Sequence, residues 1–381
     1  GSFGDMKLGS HVTYYNSHDE QRIAWHALNE GVSSADGSYN VKDTMVMFER
    51  KKMMAAFAYL FPGPKMIWQF DELGYDINID FNGRTGEKPL PWGDDGLGYY
   101  EDPLRQHIYT VYSAILSLRK EIGADNLASA NSNNEYLSGQ MRRLVYDMGS
   151  EGLVVIGNFG VEDGSINPKF TQTGKWYNYF SGDSIQVPDP EATIDLKAGE
   201  WHVFTTTKYA DGFPGAVEVY SNPVAVSPYP FRKNDEITIT FDASEAFTDG
   251  TDGLVGASEV YMYSGIITDP ANTELSHIVN DANAQMTNVS GDVWEITLTP
   301  DDYYGLQGSE DIFQIGLFFR DADSTNFGLG FRNTMIYLNV QSSEPLVSIT
   351  PEAFTIDDEV TITFNANAGD QALINSDEVY I

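Results

Sequence analysis

The chain has 381 residues, of which 41% are hydrophobic and 13% aromatic, so it is long enough for several compact domains and too apolar for a disordered protein. Its 22 basic and 56 acidic residues give a formal net charge of −34, which would repel nucleic acids and anionic membranes but not a neutral sugar. The absence of cysteine excludes disulfides and thiolate metal sites, and no apolar stretch is long enough to predict a membrane span.

Residues 1–123 alternate between strand and helix patterns. An apolar strand is predicted over residues 12–16, and it is followed by a helix capped by Asp43. A buried strand is predicted over residues 65–70, and a second helix is predicted to begin with Asp102 at its N-cap. Two strand–helix units in series indicate a parallel sheet, although two units cannot close a barrel.

The pattern then changes to short strands separated by Gly and Asp, which predicts an antiparallel β domain over residues 124–206. Its strands are predicted at residues 143–146, 153–158, 175–179 and 200–205. A second all-β region, predicted to be a β-sandwich domain, occupies residues 221–345. Alternating Ile237, Ile239 and Phe241 are predicted to supply one of its inward faces.

The last third of the chain contains an internal repeat. The recurring segments are 227–231, 235–241 and 259–261 in the first copy, and 350–354, 358–364 and 378–380 in the second. A spacing of this size is typical of one sandwich domain and is too long for a solenoid unit. Residues 346–381 are therefore predicted to be a truncated second sandwich repeat, and the chain is expected to be cut at its C-terminus.

Charged residues directly follow the first predicted strand. Asp19 lies between His18 and Glu20, where the strand over residues 12–16 gives way to a loop. Catalytic groups of parallel barrels lie at the C-terminal ends of strands, so these residues are better site candidates than charges elsewhere. A solvated loop cluster is the alternative, and the spacing does not decide between the two.

Several segments resemble the alpha-amylase family of glycoside hydrolases. Asn16–Arg22 resembles the seventh-strand motif of that family, and Phe61–Asp76 resembles its eighth-strand segment. Gly174–Tyr179 and Leu196–Trp201 resemble the C-domain that follows such barrels. The resemblance covers roughly the first half of the chain. It implies the last two βα units of a (β/α)8 barrel and an all-β C-domain. Together with the internal repeat, this predicts a multidomain fold in which immunoglobulin-like β-sandwich repeats follow the C-domain.

The resemblance also implies roles for three residues. His18 matches the histidine that hydrogen-bonds sugar hydroxyls at the cleavage point. Asp19 matches the carboxylate that stabilises the transition state, where positive charge develops on the sugar. Arg84, in the loop after the eighth-strand segment, is a candidate for binding sugars further from the scissile bond. An ion pair with Asp76 or Asp80 is the structural alternative for Arg84.

The resemblance places the nucleophile and the acid/base carboxylate on the fourth and fifth strands, upstream of this sequence. The chain is therefore expected to be a fragment of a secreted or cell-surface bacterial alpha-amylase, inactive alone, whose parent cleaves α-1,4 links of starch or malto-oligosaccharides. No cofactor is expected in this chain, whereas calcium is expected in the full-length parent. The alternatives are another family member, such as a cyclomaltodextrinase or branching enzyme, and a non-catalytic glycan-binding or surface protein.

Aromatic residues of the predicted sandwich allow two interpretations. Trp294, Tyr261, Tyr263, Tyr303 and Tyr304 would form a stacking platform for starch if they were exposed. Aromatic residues of strands are more often core residues or cross-strand pairs, and that interpretation is favoured.

Overall fold

A computed structural model describes the chain over residues 9–93, 95–132, 139–269, 274–307, 310–342, 347–350 and 360–364. The chain divides into two compact units. The first consists of Gly1–Val32 and Asn40–Tyr220, and the second of Ser33–Tyr39 and Ser221–Ile381. Among the described helices, none has both the length and the apolar character that crossing a membrane requires.

Two of the four α-helices described in the first unit begin at an aspartate side chain that caps them. The four are α1 (Ile23–Glu30), α2 (Thr44–Leu60), α3 (Pro103–Ile122) and α4 (Ala124–Ser129). The Asp43 carboxylate accepts hydrogen bonds from the backbone N–H groups of Met45 and Val46, and Asp102 accepts one from Leu104. Both predicted helix starts are confirmed, because each cap satisfies N–H groups that the first helical turn leaves unpaired.

The two predicted barrel strands are reduced to one parallel bridge between Thr13 and Lys65. The Thr13 N–H donates to the Pro64 carbonyl at 2.9 Å, and the Met66 N–H donates to the Thr13 carbonyl at 3.1 Å. Val12 is exposed. A parallel strand needs neighbours that cover both of its faces, and these segments pair only with each other among the described residues. The predicted strands over residues 12–16 and 65–70 are therefore wrong in extent, whereas their parallel direction is confirmed.

An antiparallel sheet follows the helices in the first unit. Its strands, with those of a small two-stranded sheet, are β1 (Asn131–Ser132), β2 (Met141–Asp147), β3 (Gly152–Asn158), β4 (Gly164–Ile166), β5 (Gly174–Asn178), β6 (Ser184–Val187), β7 (Ile194–Leu196) and β8 (Trp201–Thr205). The larger sheet has the order β1-β2-β3-β8-β5-β6, and β4 pairs with β7. The four strands predicted from the sequence are confirmed, with ends that differ by one or two residues.

Both faces of β3 are buried, which explains its uninterrupted apolar sequence. Leu153 and Val155 pack in one core with the helices, whereas Val154 and Ile156 pack in a second core with Trp176. The helices and the sheet of the first unit thus share a hydrophobic core. The predicted boundary between residues 1–123 and 124–206 stays a prediction.

The described part of the second unit contains two larger antiparallel sheets and one separate pair of strands. The elements that precede this pair are β9 (Val224–Ser227), β10 (Ile237–Asp242), β11 (Tyr261–Ile267), β12 (Ser276–Val279), β13 (Thr287–Ser290), β14 (Val293–Leu298), α5 (Pro300–Tyr303), β15 (Gln314–Arg320), β16 (Phe327–Gly328) and β17 (Ile336–Asn339). One sheet has the order β13-β14-β10-β9, and the other has the order β12-β11-β15-β16, with β17 also paired to β15.

The two larger sheets of the second unit enclose one core. Ile237, Ile239 and Phe241 are fully buried in it, so the predicted inward face of β10 is confirmed. The ring of Phe241 stacks on Phe319 of the other sheet, with 3.8 Å between the centroids. The immunoglobulin-like topology stays a prediction.

A further hairpin lies in the second copy of the repeat, formed by β18 (Val347–Thr350) and β19 (Thr361–Phe364). In the first copy Ser227 pairs with Thr238, and in the second Thr350 pairs with Thr361, each 123 positions further along the chain. The two copies of the repeat therefore share the same strand pairing as well as similar sequences. The recurrence over 378–380 and most of the predicted truncated repeat lie outside the described residues.

The proposed aromatic platform around Trp294 is wrong. Trp294 is only 4% exposed and, like Tyr304, packs in the core of the second unit. Its position on β14 points it inward, towards the facing sheet, on the same face of the strand as the buried Leu298. The core interpretation of Trp294 and Tyr304 is confirmed, and only Tyr261, Tyr263 and Tyr303 are partly exposed.

Candidate active site

His18 and Asp19 lie side by side on an exposed loop of the first unit. The His18 Nε2 and Asp19 Oδ2 atoms are 3.4 Å apart, and the two side chains are 68% and 72% exposed. The His18 ring also contacts Trp68, with 5.6 Å between the ring centroids. Because Thr13 and Lys65 pair in parallel, the residues that follow them emerge at the same edge, and the two motifs therefore meet.

Buried residues hold the loop on both sides of this exposed pair. The side-chain amide of Asn16 donates to the Asp71 carboxylate and accepts a hydrogen bond from the Ile23 N–H at 3.1 Å. The guanidinium of Arg22 donates to the Ser17 carbonyl at 2.9 Å. These hydrogen bonds fix the backbone of the loop on both sides of His18 and Asp19.

A buried ion pair lies beneath the loop. The Asp71 carboxylate accepts hydrogen bonds from Asn16, from the Lys51 ammonium and from the Tyr112 hydroxyl, and Tyr15 hydrogen-bonds to Tyr112. Burial lowers the pKa of Lys51, and the charge of Asp71 opposes that shift. The ammonium also lies 4.7 Å from the centroid of the Tyr15 ring. This arrangement satisfies a charge pair that burial would otherwise penalise.

The sequence analysis did not identify Lys51 or its partners. The available signal was the pair of lysines at 51 and 52 in the otherwise apolar second half of α2. Lysine is rarely buried unless it is paired, so a lysine among apolar helical residues calls for an acidic partner.

The loop over residues 78–84 docks onto the loop that carries Asp19. The side chain of Gln21 donates to Asn78 and accepts from the Ile79 N–H, both at 2.9 Å. Arg84 donates to the backbone carbonyl of Asp19, and its Nη1 lies 3.9 Å from the Asp80 carboxylate. The structural alternative for Arg84 is therefore observed with Asp80, while sugar binding by Arg84 stays a prediction.

Exposed aromatic rings follow in the next part of the chain. Trp92 and Tyr100 are both exposed, and their centroids are 6.5 Å apart. Trp92 also makes an edge contact of 5.0 Å with Phe70, which precedes Asp71. Ring faces at a protein surface suit stacking against the C–H faces of sugars. The signal in the sequence was the presence of Trp and Tyr in a Gly-rich loop.

No group of three or more His, Asp or Glu side chains that could hold a metal occurs in the described part of the chain. Calcium was expected in a domain that the resemblance places upstream of this sequence. That expectation stays a prediction.

We expect the stability of the chain to rise with pH through the titration of Lys65. Burial, together with the nearby Arg119 guanidinium, lowers the pKa of the Lys65 ammonium from 10.5 to about 7. Between about pH 7 and 10 the unfolded chain holds this proton and the folded chain does not, so the free energy of unfolding rises with pH. Because Lys65 is only half-buried, we expect a gain of about 1 to 2 kcal/mol.

Chemical denaturation at several pH values measures this gain against the variant Lys65→Met, which has no proton to titrate there. The difference in unfolding free energy between the two proteins should shift in favour of the wild type as the pH rises. A difference that stays constant over this range would contradict the assignment to Lys65.

Comparisons with known proteins found one family that matches part of the chain and several solved structures that are similar to it. A family described as a domain of unknown function (DUF8578) matches residues 224–327. No curated protein matches the chain significantly. The structure is similar to alpha-amylase from Geobacillus thermoleovorans complexed with acarbose, with 15% identity and a TM-score of 0.37 over 51% of this chain and 38% of that one.

Two further solved structures are similar to this chain. Bacillus licheniformis trehalose-6-phosphate hydrolase is 16% identical, with a TM-score of 0.37 over 52% of this chain and 43% of that one. AmyP in complex with maltose is 13% identical, with a TM-score of 0.32 over 43% of this chain and 36% of that one. The chain thus spans less than half the length of each of these three structures.

Proposed function

We propose that the chain carries part of the active site of a secreted glycoside hydrolase of the alpha-amylase type, which acts on α-1,4 links of starch or malto-oligosaccharides. The observation that carries this proposal is the exposed His18–Asp19 pair, held by buried residues at the end of a parallel pairing. The nucleophile and the acid/base carboxylate would come from another part of the polypeptide, so this chain alone should release no reducing sugar from starch.

The chemistry of the pair fits this role. The Asp19 carboxylate would stabilise the positive charge that develops on the anomeric carbon and ring oxygen. The His18 imidazole would hydrogen-bond a sugar hydroxyl, and Trp68 beside it would offer an apolar ring. The net charge of −34 favours a neutral substrate over an anionic one.

A non-catalytic glycan-binding protein is the second candidate function. It is favoured by the exposed rings of Trp92 and Tyr100, which would bind sugars whether or not a bond is broken. In that case Asp19 would contribute to ground-state binding as other polar contacts do.

Titration of the chain with maltoheptaose, followed through the NMR signals of the His18 and Trp68 rings, tests the proposal. We expect both signals to move, and His18→Ala to weaken binding by about five- to tenfold through the loss of a hydrogen bond. Asp19→Asn should change the affinity by less than about threefold, because its contribution is made in the transition state.

The matched control is His26→Ala, since His26 is an exposed histidine of α1 that pairs with Glu30. This variant should bind as the wild type does. Absence of any response at His18 and Trp68 would overturn the proposal, and a tenfold loss on Asp19→Asn would favour the non-catalytic alternative.

A further inference from the structure

A cleft of about 590 Å³ opens in the second unit between β12 and β14. It lies where the chain leaves β12, in one sheet, and crosses to β13, in the other sheet. The crossing is fixed, because the Met286 N–H donates to the Val260 carbonyl at 2.8 Å and Gln285 bridges to Tyr261. A volume of this size is within the range of small-molecule sites.

The rim of the cleft carries planar polar groups. Asp281, Asn283, Gln285 and Asp302 line it, and all four are exposed. The Asp281 carboxylate accepts a hydrogen bond from the Asn283 N–H at 2.9 Å and is 3.4 Å from the Asn283 side-chain amide. A carboxylate can accept hydrogen bonds from two neighbouring hydroxyl groups. A side-chain amide can accept a hydrogen bond from one hydroxyl group and donate one to the next.

The floor of the cleft is apolar. Val279, Ile296 and Tyr303 line it, and the same residues pack against the core of the second unit. Burial, with a contribution from Asp281, raises the pKa of the Tyr303 phenol to about 12, so the floor carries no charge near neutral pH. An apolar floor under a polar rim matches a molecule with one C–H face and hydroxyl groups at its edge.

The charges of the cleft exclude other ligand classes. Among the described residues, no Lys, Arg or His side chain lines it, and the chain has a net charge of −34, so a phosphorylated or carboxylated ligand would be repelled. In the part of the chain that the structure describes, no group of three or more His, Asp or Glu side chains is placed to hold a metal, so the cleft does not offer a cation the set of carboxylates it prefers. A neutral polyhydroxylated ligand remains.

We infer that this cleft is a binding site for a neutral oligosaccharide, separate in sequence and in unit from His18 and Asp19. The class of ligand follows from the lining of the cleft, whereas the choice of an α-glucan as the first probe rests on the proposed function. Such a site would hold a polysaccharide to the chain without taking part in bond cleavage.

The experiment titrates the full chain with maltoheptaose and follows the side-chain amide signals of Asn283 and Gln285. We expect saturable shifts, and Gln285→Ala should weaken the affinity about fivefold by removing a hydrogen bond. The matched control is Gln307→Ala, an exposed glutamine that does not line the cleft, which should bind as the wild type does. The tryptophan and backbone amide NMR signals of each variant report whether it remains folded.

Parallel titrations with cellohexaose, xylohexaose and calcium chloride separate the outcomes. Shifts in the cleft with any of the sugars, weakened by Gln285→Ala, support the inference. Shifts with calcium and none with sugars would overturn it in favour of a cation site. Responses only at His18 and Trp68 would overturn the inference about the cleft and leave the proposed function standing. Responses only in the cleft would overturn the proposed function and support the inference about the cleft.

Discussion

Replacing Asp71 by alanine should lower the free energy of unfolding of the first unit by about 3 to 5 kcal/mol, the loss measured when one partner of a buried ion pair is removed. The variant leaves the Lys51 ammonium buried without its counter-charge. It also removes the acceptor of Asn16 and of Tyr112. Chemical denaturation followed by tryptophan fluorescence measures the loss, since Trp25, Trp68, Trp92, Trp176 and Trp201 all belong to the first unit.

Two further variants separate charge from packing. Asp71→Leu combined with Lys51→Met removes both charges and should recover at least half of the loss, because no unpaired charge remains. Asp211→Ala breaks an exposed pair with Lys208 and should have a far smaller effect. If Asp71→Ala were as mild as Asp211→Ala, the buried pair would not stabilise this unit.

Replacing Phe241 by alanine should lower the free energy of unfolding of the second unit by about 3 to 5 kcal/mol. Phe241 is fully buried and stacks on Phe319, so its removal leaves a cavity between the two sheets. Gly328 lies against the same ring, and a glycine has no side chain to fill the space. Hydrogen exchange of the β10 and β14 amides measures the loss.

Graded substitutions test the cavity explanation. Phe241→Leu should lose less than Phe241→Ala, because leucine fills part of the volume. Tyr337→Ala, which removes an exposed aromatic ring from β17, should leave the protection of β10 and β14 unchanged. Equal losses for Phe241→Ala and Tyr337→Ala would contradict a core role for Phe241.

The parts of the fold that depend on neighbouring residues could be predicted from the sequence. Asp43 and Asp102 cap helices through contacts two or three residues away, and β3 is recognised by its own apolar run. The strands predicted over residues 12–16 and 65–70 could not be predicted in extent, because a parallel strand is defined by partners distant in sequence. Among the described residues, the only strand-pairing partner of Thr13 is Lys65, and the reverse also holds.

The candidate site shows the same division. The pattern around His18 and Asp19 predicted polar side chains where a strand gives way to a loop, because charges after an apolar segment are a local signal, and the structure shows both side chains exposed. The support of that pair was missed, because Lys51 and Asp71 meet only when α2 packs over the second motif. The sequence could place Trp294 on a strand, but it could not show which face of that strand is buried. Burial of the face that carries Trp294 depends on the opposite sheet.

The repeated hairpin has a consequence for how the chain folds. β10 contains the sequence Thr238-Ile239-Thr240-Phe241, and β19 has the same four residues, so either strand offers β14 the same pairing groups. The chain lengths that separate each from β14 are similar, and the entropy of closing the two loops therefore differs by only about 0.2 kcal/mol.

We expect the order of synthesis to favour the native pair over this alternative. β10 and β14 both leave the ribosome before β19, so they pair while the second copy is still absent. A complete chain refolding from denaturant loses this advantage. Ile362 in β19 is 46% exposed, whereas its counterpart Ile239 is fully buried, so only the outcome with β10 in the core matches the observed fold.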